Sequence, residues 1–176
     1  VYYLYTEREF VSGGSTITQQ VARNLLLSAE ERTERTAWRK LREIVLANEM
    51  VRRYKRDEIL EIYLNEINYG NLAYGVEAAS ETYFKKKAKD LTLAESALLA
   101  GLPQAPSYWD PVASEQRALR RMQVVLGLME EAGYINQDMS QAAYKEIEAK
   151  DFKSVPVNVT SIAPHFMNYL RQQLDE

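Results

Sequence analysis

Ile17-Thr18-Gln19-Gln20-Val21-Ala22-Arg23-Asn24-Leu25 carries an apolar residue at every fourth position, Ile17, Val21 and Leu25. That is the repeat of one helix face and not the alternation of a strand. Just before it, Gly13-Gly14-Ser15 supplies a flexible turn, and Thr16 stands three positions ahead of Gln19, the spacing of a capping box. Helical spacing returns in Ile59, Leu60, Tyr63 and Leu64, and strict alternation is scarce elsewhere, so the sequence predicts a mainly α fold. Pro, Gly and Asn cluster at Gly13-Gly14, from Asn65 to Gly75, from Pro103 to Pro111, near Gly133 and from Asp151 to Pro156; these breaks delimit about seven helices. One of them, Thr92 to Leu102, opens with Thr92 three residues before Glu95 and reads as a capped core helix.

The chain has 176 residues, 46% of them hydrophobic and 27% charged, enough for one domain to bury a substantial core. With 22 basic against 25 acidic residues the net charge is -3, which speaks against a general nucleic-acid binder. Any anion site must therefore be local. Cysteine is absent and His165 is the single histidine, so disulfides, thiolate metal sites and a His-rich zinc centre are excluded. No apolar run approaches the roughly 18 residues that cross a bilayer. The start at Val1 and the end within helix-like sequence at Glu176 suggest a piece of something longer.

Several segments carry chemistry-bearing residues. Gly13 to Gln20 joins bare glycine backbone to a helix start with Ser, Thr and Gln side chains. That combination suits a pyrophosphate or sugar hydroxyls and equally an ordinary capped helix. From Arg35 to about Tyr54 one helix is expected, on which Arg35, Arg39 and Glu43 form an i, i+4, i+8 line and Lys40 lies three residues before Glu43. Trp38, Leu41, Ile44 and Val45 fall on the opposite arc and are expected to anchor the helix by its apolar side. The bland alternative is a solvated face of weak ion pairs.

Lys55 to Asn65 reads as an amphipathic structural helix, with Glu61 as a candidate partner for Arg39 or Arg56. The aromatic opening Val1-Tyr2-Tyr3-Leu4-Tyr5, with Phe10-Val11, suits either a membrane interface or a core helix. His165 is most simply a surface or capping residue.

Taken in order, these blocks resemble the peptidoglycan glycosyltransferases, glycosyltransferase family 51, found in class A penicillin-binding proteins and monofunctional transglycosylases. Gly13 to Gln20 is similar to the family's GGSTITQQ motif, Arg39 to Glu43 to its RKxxE motif, Ile59 to Asn65 to its ILExYLN motif and Arg121 to Leu126 to RxxxVL. Ala73 to Ala79 and Leu98 to Pro106 also look like family sequence. The resemblance implies a mainly α, lysozyme-like domain over 1–150, with 151–176 as its end or a linker towards a covalently attached transpeptidase domain. It further implies action at the membrane surface on the outer face of the bacterial cytoplasmic membrane, on lipid II and the growing glycan strand, with no nucleic-acid partner. In that reaction a glutamate base deprotonates an acceptor hydroxyl, which displaces undecaprenyl pyrophosphate from the donor with inversion. Moenomycin, a phosphoglycolipid, is the family's donor-site inhibitor.

By the same resemblance Ser15, Thr18, Gln19 and Gln20 are donor-site contacts, and Arg23, Arg35, Arg39 and Lys40 are cations for the diphosphate. Glu43 corresponds to the family's second essential glutamate, which positions the diphosphate or a metal, or assists the leaving group. A divalent ion, Mg or Mn, is the one cofactor the resemblance leaves open. Arg23 and Arg56 stand where the family commonly has lysine, and the two are not interchangeable at a diphosphate. The family's first motif, a Glu-Asp pair followed by Phe and His-x-Gly, has no counterpart here, and Glu7 and Glu9 do not match it. The resemblance therefore implies an N-terminally truncated domain that is inactive alone. Two other readings of the same residues are a lytic transglycosylase or lysozyme-like hydrolase, and a non-catalytic lipid II binding module.

Overall fold

The computed structural model describes residues 16–34, 36–150 and Phe152. Nine α-helices run through the described residues: α1 Ile17–Leu26, α2 Ala29–Thr33, α3 Ala37–Arg53, α4 Arg56–Glu66, α5 Val76–Phe84, α6 Leu93–Gly101, α7 Pro106–Trp109, α8 Glu115–Glu131 and α9 Gln137–Glu148. The mainly α expectation is met. Two of the nine, α2 and α7, are a turn or so long, which accounts for the lower count expected from periodicity.

Helix starts follow local chemistry. Thr16, Thr36 and Asn136 each accept a hydrogen bond from the backbone N–H three residues on, satisfying one of the donors a helix start leaves unpaired. Thr92 and Glu95 close the full reciprocal box expected for α6. At α1 only half of the box forms. Thr16 caps the Gln19 amide, but the Gln19 side chain is engaged elsewhere, as described below.

Three apolar clusters hold the described body together. Leu98, Met122, Leu126, Ile147 and Phe152 unite α6, α8 and α9, and each such buried side chain contributes about 1.5–3 kcal/mol. Phe152, at the start of the linker-like stretch, is buried and meets Phe84 edge-on at 6.1 Å between centroids. Ile67, Tyr69, Tyr83, Leu99 and Leu102 form a second cluster. The third joins Val21 and Ala22 of α1 to Ala47 and Met50 of α3 and Ile59 of α4. Ile17 and Leu25, which mark α1 as helical in the sequence, are themselves 42% and 46% exposed. The buried line of α1 is one step round from the line they define.

Two polar arrangements stiffen the body. Glu95, fully buried, accepts from Lys86 at 2.8 Å, Lys150 at 2.6 Å and the Thr92 amide at 2.9 Å. It fastens the start of α6 to the end of α9. Between α4 and α5, Asn68 and Tyr74 form an antiparallel bridge around Gly70, Asn71 and Leu72, all at positive φ. Asn71 Nδ2 donates to Tyr83 Oη and to Asp110 Oδ1, each at 3.1 Å, which offsets the backbone strain. Gly75, at φ +83, follows; a Cβ there would stand 2.5 Å from the Asn65 carbonyl oxygen.

A candidate diphosphate site between α1 and α3

Helix α3 lies on α1 through its charged side. Glu43 is 1% exposed, and its two carboxylate oxygens accept from Arg39 Nη1 and, at 3.0 Å, from Lys40 Nζ. These are the i+4 and i+3 relations read from the sequence. Lys40 Nζ also donates to Gln19 Oε1 of α1 at 3.0 Å, so one ammonium ties the two helices together. Arg39 Nε is buried and has no hydrogen-bond partner among the described residues, which is unusual for a buried donor. The result is a pair of cations sharing one buried carboxylate.

The apolar arc lies the other way from the expectation. Trp38 is 68% exposed, Leu41 49% and Val45 59%, and Ile44 is also exposed, while the buried residues of α3 are Glu43, Ala47 and Met50. The physical reason is that Arg39, Lys40 and Glu43 satisfy one another and Gln19. Mutually paired charges can be buried at a reduced penalty, although Arg39 Nε is left without a partner among the described residues, and Ala22 and Ala47 pack in the same cluster. Glu61 is another correction: it is exposed and, among the described residues, holds neither Arg39, which Glu43 takes, nor Arg56.

The other predicted site residues divide. Gln20 and Arg23 are half-buried on α1, and Arg23, one turn after Gln19, shares its face. Thr18 lines a different hollow, with Thr16, Lys55 and Arg56. Ser15, Arg35, the aromatic opening, His165 and the rest of the expected linker from residue 153 onward lie outside the described residues. Arg121, in the RxxxVL block, donates from Nε to the Gly101 carbonyl at 3.3 Å and packs against Gly101, joining α8 to α6. Its visible role is packing. Glu95 was legible only as a cap; its two lysine partners come from outside α6.

Among the described residues no group of three or more His, Asp or Glu side chains could hold a metal ion. Both Glu43 oxygens are engaged by Arg39 and Lys40. No described helix is long and apolar enough to cross a membrane.

The described residues thus form a helical body with the Arg39, Lys40 and Glu43 cluster between α1 and α3. The family described as Transglycosylase matches residues 1–130, and the chain belongs to that family. It is 47% identical over 135 residues to penicillin-binding protein 1A of Pseudomonas aeruginosa, which covers 77% of this chain and 16% of that protein. Penicillin-binding protein 1A of Escherichia coli is 43% identical over 162 residues, covering 92% of this chain and 18% of that protein. A crystal structure of penicillin-binding protein 1A from Haemophilus influenzae matches 78% of this chain and 17% of its own at 33% identity, with a TM-score of 0.49. The chain thus spans under a fifth of the length of these relatives.

Proposed function

We propose that this chain is the donor-diphosphate-binding part of a peptidoglycan glycosyltransferase, which polymerises lipid II into glycan strands with release of undecaprenyl pyrophosphate. The observation that carries the reading is the cluster of Gln19, Arg39, Lys40 and Glu43, with a buried Arg39 donor that no described residue pairs. Membership of the transglycosylase family supports it.

During transfer the acceptor hydroxyl oxygen bonds to the donor's anomeric carbon, and the bond from that carbon to the diphosphate oxygen breaks. The electron pair leaves with the diphosphate, and the hydroxyl proton goes to a base that no residue here is assigned. Charge therefore grows on the leaving group, where preorganised cations lower the barrier most. Arg39 and Lys40 are held in place before the substrate arrives, because Glu43 and Gln19 fix their positions. In this reading Glu43 is a positioning residue: its oxygens are occupied, and its charge keeps two cations together that would otherwise repel. Arg23 and Arg35 complete the cationic side, Ser15 and Gln20 contact the donor more peripherally, and Thr18 turns into the adjoining hollow. The working location is the outer face of the cytoplasmic membrane, periplasmic or extracellular, with a transpeptidase domain attached.

Titration of the chain with farnesyl diphosphate, a soluble lipid diphosphate, tests the reading. Arg39→Ala should weaken binding at least about tenfold, the equivalent of one charge-assisted hydrogen bond. Equal binding by a folded Arg39→Ala chain would refute the assignment.

A further inference from the structure

The end of α9 is tied to the body at three points far away in sequence. Thr92 Oγ1 donates to Glu146 Oε1 at 2.7 Å, Lys150 Nζ donates to Glu95 Oε1 at 2.6 Å, and Phe152 meets Phe84 edge-on. Lys150 Nζ also stands 5.4 Å from the centre of the same Phe84 ring, so two residues past the helix end share one aromatic anchor. The helix itself closes at Glu148, and the Ala149 and Lys150 amides donate to the Lys145 and Ile147 carbonyls at 3.3 and 2.9 Å.

Glu95 is bonded in a way that lets one partner leave. Its Oε2 accepts from Lys86 at 2.8 Å and from the Thr92 amide at 2.9 Å, and its Oε1 accepts from Lys150. The Lys86 carbonyl in turn accepts from the buried Ser80 hydroxyl at 2.7 Å, which ties that lysine to α5 independently of α9. When Lys150 departs, the buried carboxylate keeps an ammonium and an amide. It does not become an unpaired buried charge, the case that is strongly destabilising. Lys150 is 33% exposed, so its ammonium passes into water without crossing the core. Phe152 acts the other way: its ring is 2% exposed, and its burial holds the segment shut. One turn back, Ala143 and Ile147 are buried between α6 and α8, so an opening that starts at Phe152 stops at the helix end.

We propose that residues 149–152 form a strap that releases from the helical body as one unit. Lys150 and Phe152 leave together, Lys86 and Thr92 keep Glu95, and α9 stays packed. Sub-global openings of this kind arise where few buried contacts hold a segment. Closed, the strap fixes the point beside Phe84 and Glu95 from which residues 153–176 follow. Open, it adds four residues to that tether, about 13 Å of extended chain at roughly 3.3 Å per residue. The device changes the length of a tether and leaves the body as it was. It does not depend on the diphosphate reading.

The test is amide hydrogen exchange of the whole chain, read residue by residue in rising sub-denaturing urea. The Ala149 and Lys150 amides should be protected, yet exchange at least about a hundredfold faster than those of Met122 and Leu126 in α8. Their rates should depend little on urea, the mark of an opening that exposes little surface. Lys150→Met should speed their exchange at least about tenfold, the equivalent of one charge-assisted bond, and Phe152→Ala by at least as much. Lys86→Met should leave their rates within about threefold, because the Lys86 bond survives the opening. Circular dichroism confirms that the variants remain folded, and Lys150→Met keeps the aliphatic length of a partly exposed side chain. Rates and urea dependence equal to those of α8 would mean that the segment opens only with the whole chain, and absence of protection in the parent would mean that no strap is closed. Either result overturns the proposal. So does an unchanged rate in Lys150→Met, or an equal acceleration by Lys86→Met.

Discussion

Replacing Glu43 by alanine removes the carboxylate on which the cation pair rests, and the structure sets the size of the effect. Glu43 is 1% exposed and accepts one charge-assisted bond from Arg39, 17% exposed, and one from Lys40, 37% exposed. Such bonds contribute about 1.5–3 kcal/mol each. Lys40 reaches water, so solvent screening reduces its share to under about 1 kcal/mol. Arg39 does not escape as easily, and its guanidinium would be left buried and unpaired, a cost of about 2 kcal/mol or more. Glu43→Ala should therefore destabilise the chain by about 3 kcal/mol, or lower Tm by roughly 6–12 °C for a chain of this size. Glu43→Gln keeps the shape and one acceptor and should lose about half as much. Urea unfolding followed by circular dichroism measures both, provided the m-value is unchanged. A Glu43→Ala chain within about 0.5 kcal/mol of the parent would refute a buried, network-bearing Glu43.

Trp38→Ala tests the outward orientation of the apolar arc: it should change stability by no more than about 0.5 kcal/mol, whereas a core tryptophan would cost about 3–5 kcal/mol. Gly75→Ala should destabilise by at least about 2 kcal/mol, because it combines positive φ with a 2.5 Å approach to the Asn65 carbonyl; a neutral effect in thermal unfolding would contradict the geometry. At Glu95, burial pushes the pKa up, but hydrogen bonds from Lys150, Lys86 and the Thr92 amide outweigh it and hold the carboxyl below its ordinary 4.5. A pKa lower in the folded chain means stability present above the ordinary value and lost as pH falls through the folded one. Urea midpoints should therefore fall below pH 4.5, and more steeply in the parent than in Glu95→Gln; identical slopes would remove Glu95 from the account.

What could be read in the sequence was what is local. Thr16 and Thr92 cap their helices within three residues, and Arg39, Lys40 and Glu43 meet within one turn. Both follow from helix geometry alone, whereas the helix expected from Arg35 starts at Ala37 behind the Thr36 cap. The bond from Lys40 to Gln19 spans 21 positions and depends on how α1 packs on α3. The same packing decided the orientation of α3. Periodicity shows that a helix has two faces, and the apolar one is usually buried, but here the charged side satisfies itself and goes inward. Asn71 reaches Asp110 39 positions away, and Lys150 reaches Glu95 across 55. Neither contact leaves a local signal. Thr18 and Gln19 stand together in one motif, yet the helical turn between them sends Thr18 to the hollow beside Lys55 and Gln19 to Lys40.

The central claim, that the α1–α3 cation cluster receives a lipid-linked diphosphate, is tested most directly with moenomycin, which occupies the donor site in this family. Isothermal titration of the parent chain and of Lys40→Ala would decide it, because Lys40 bridges the cluster from a partly exposed position and its loss should leave the fold intact. The account predicts saturable binding by the parent and at least about thirtyfold weaker binding by the variant, the worth of about 2 kcal/mol in one charge-assisted contact. Equal affinity of the two folded chains would contradict it.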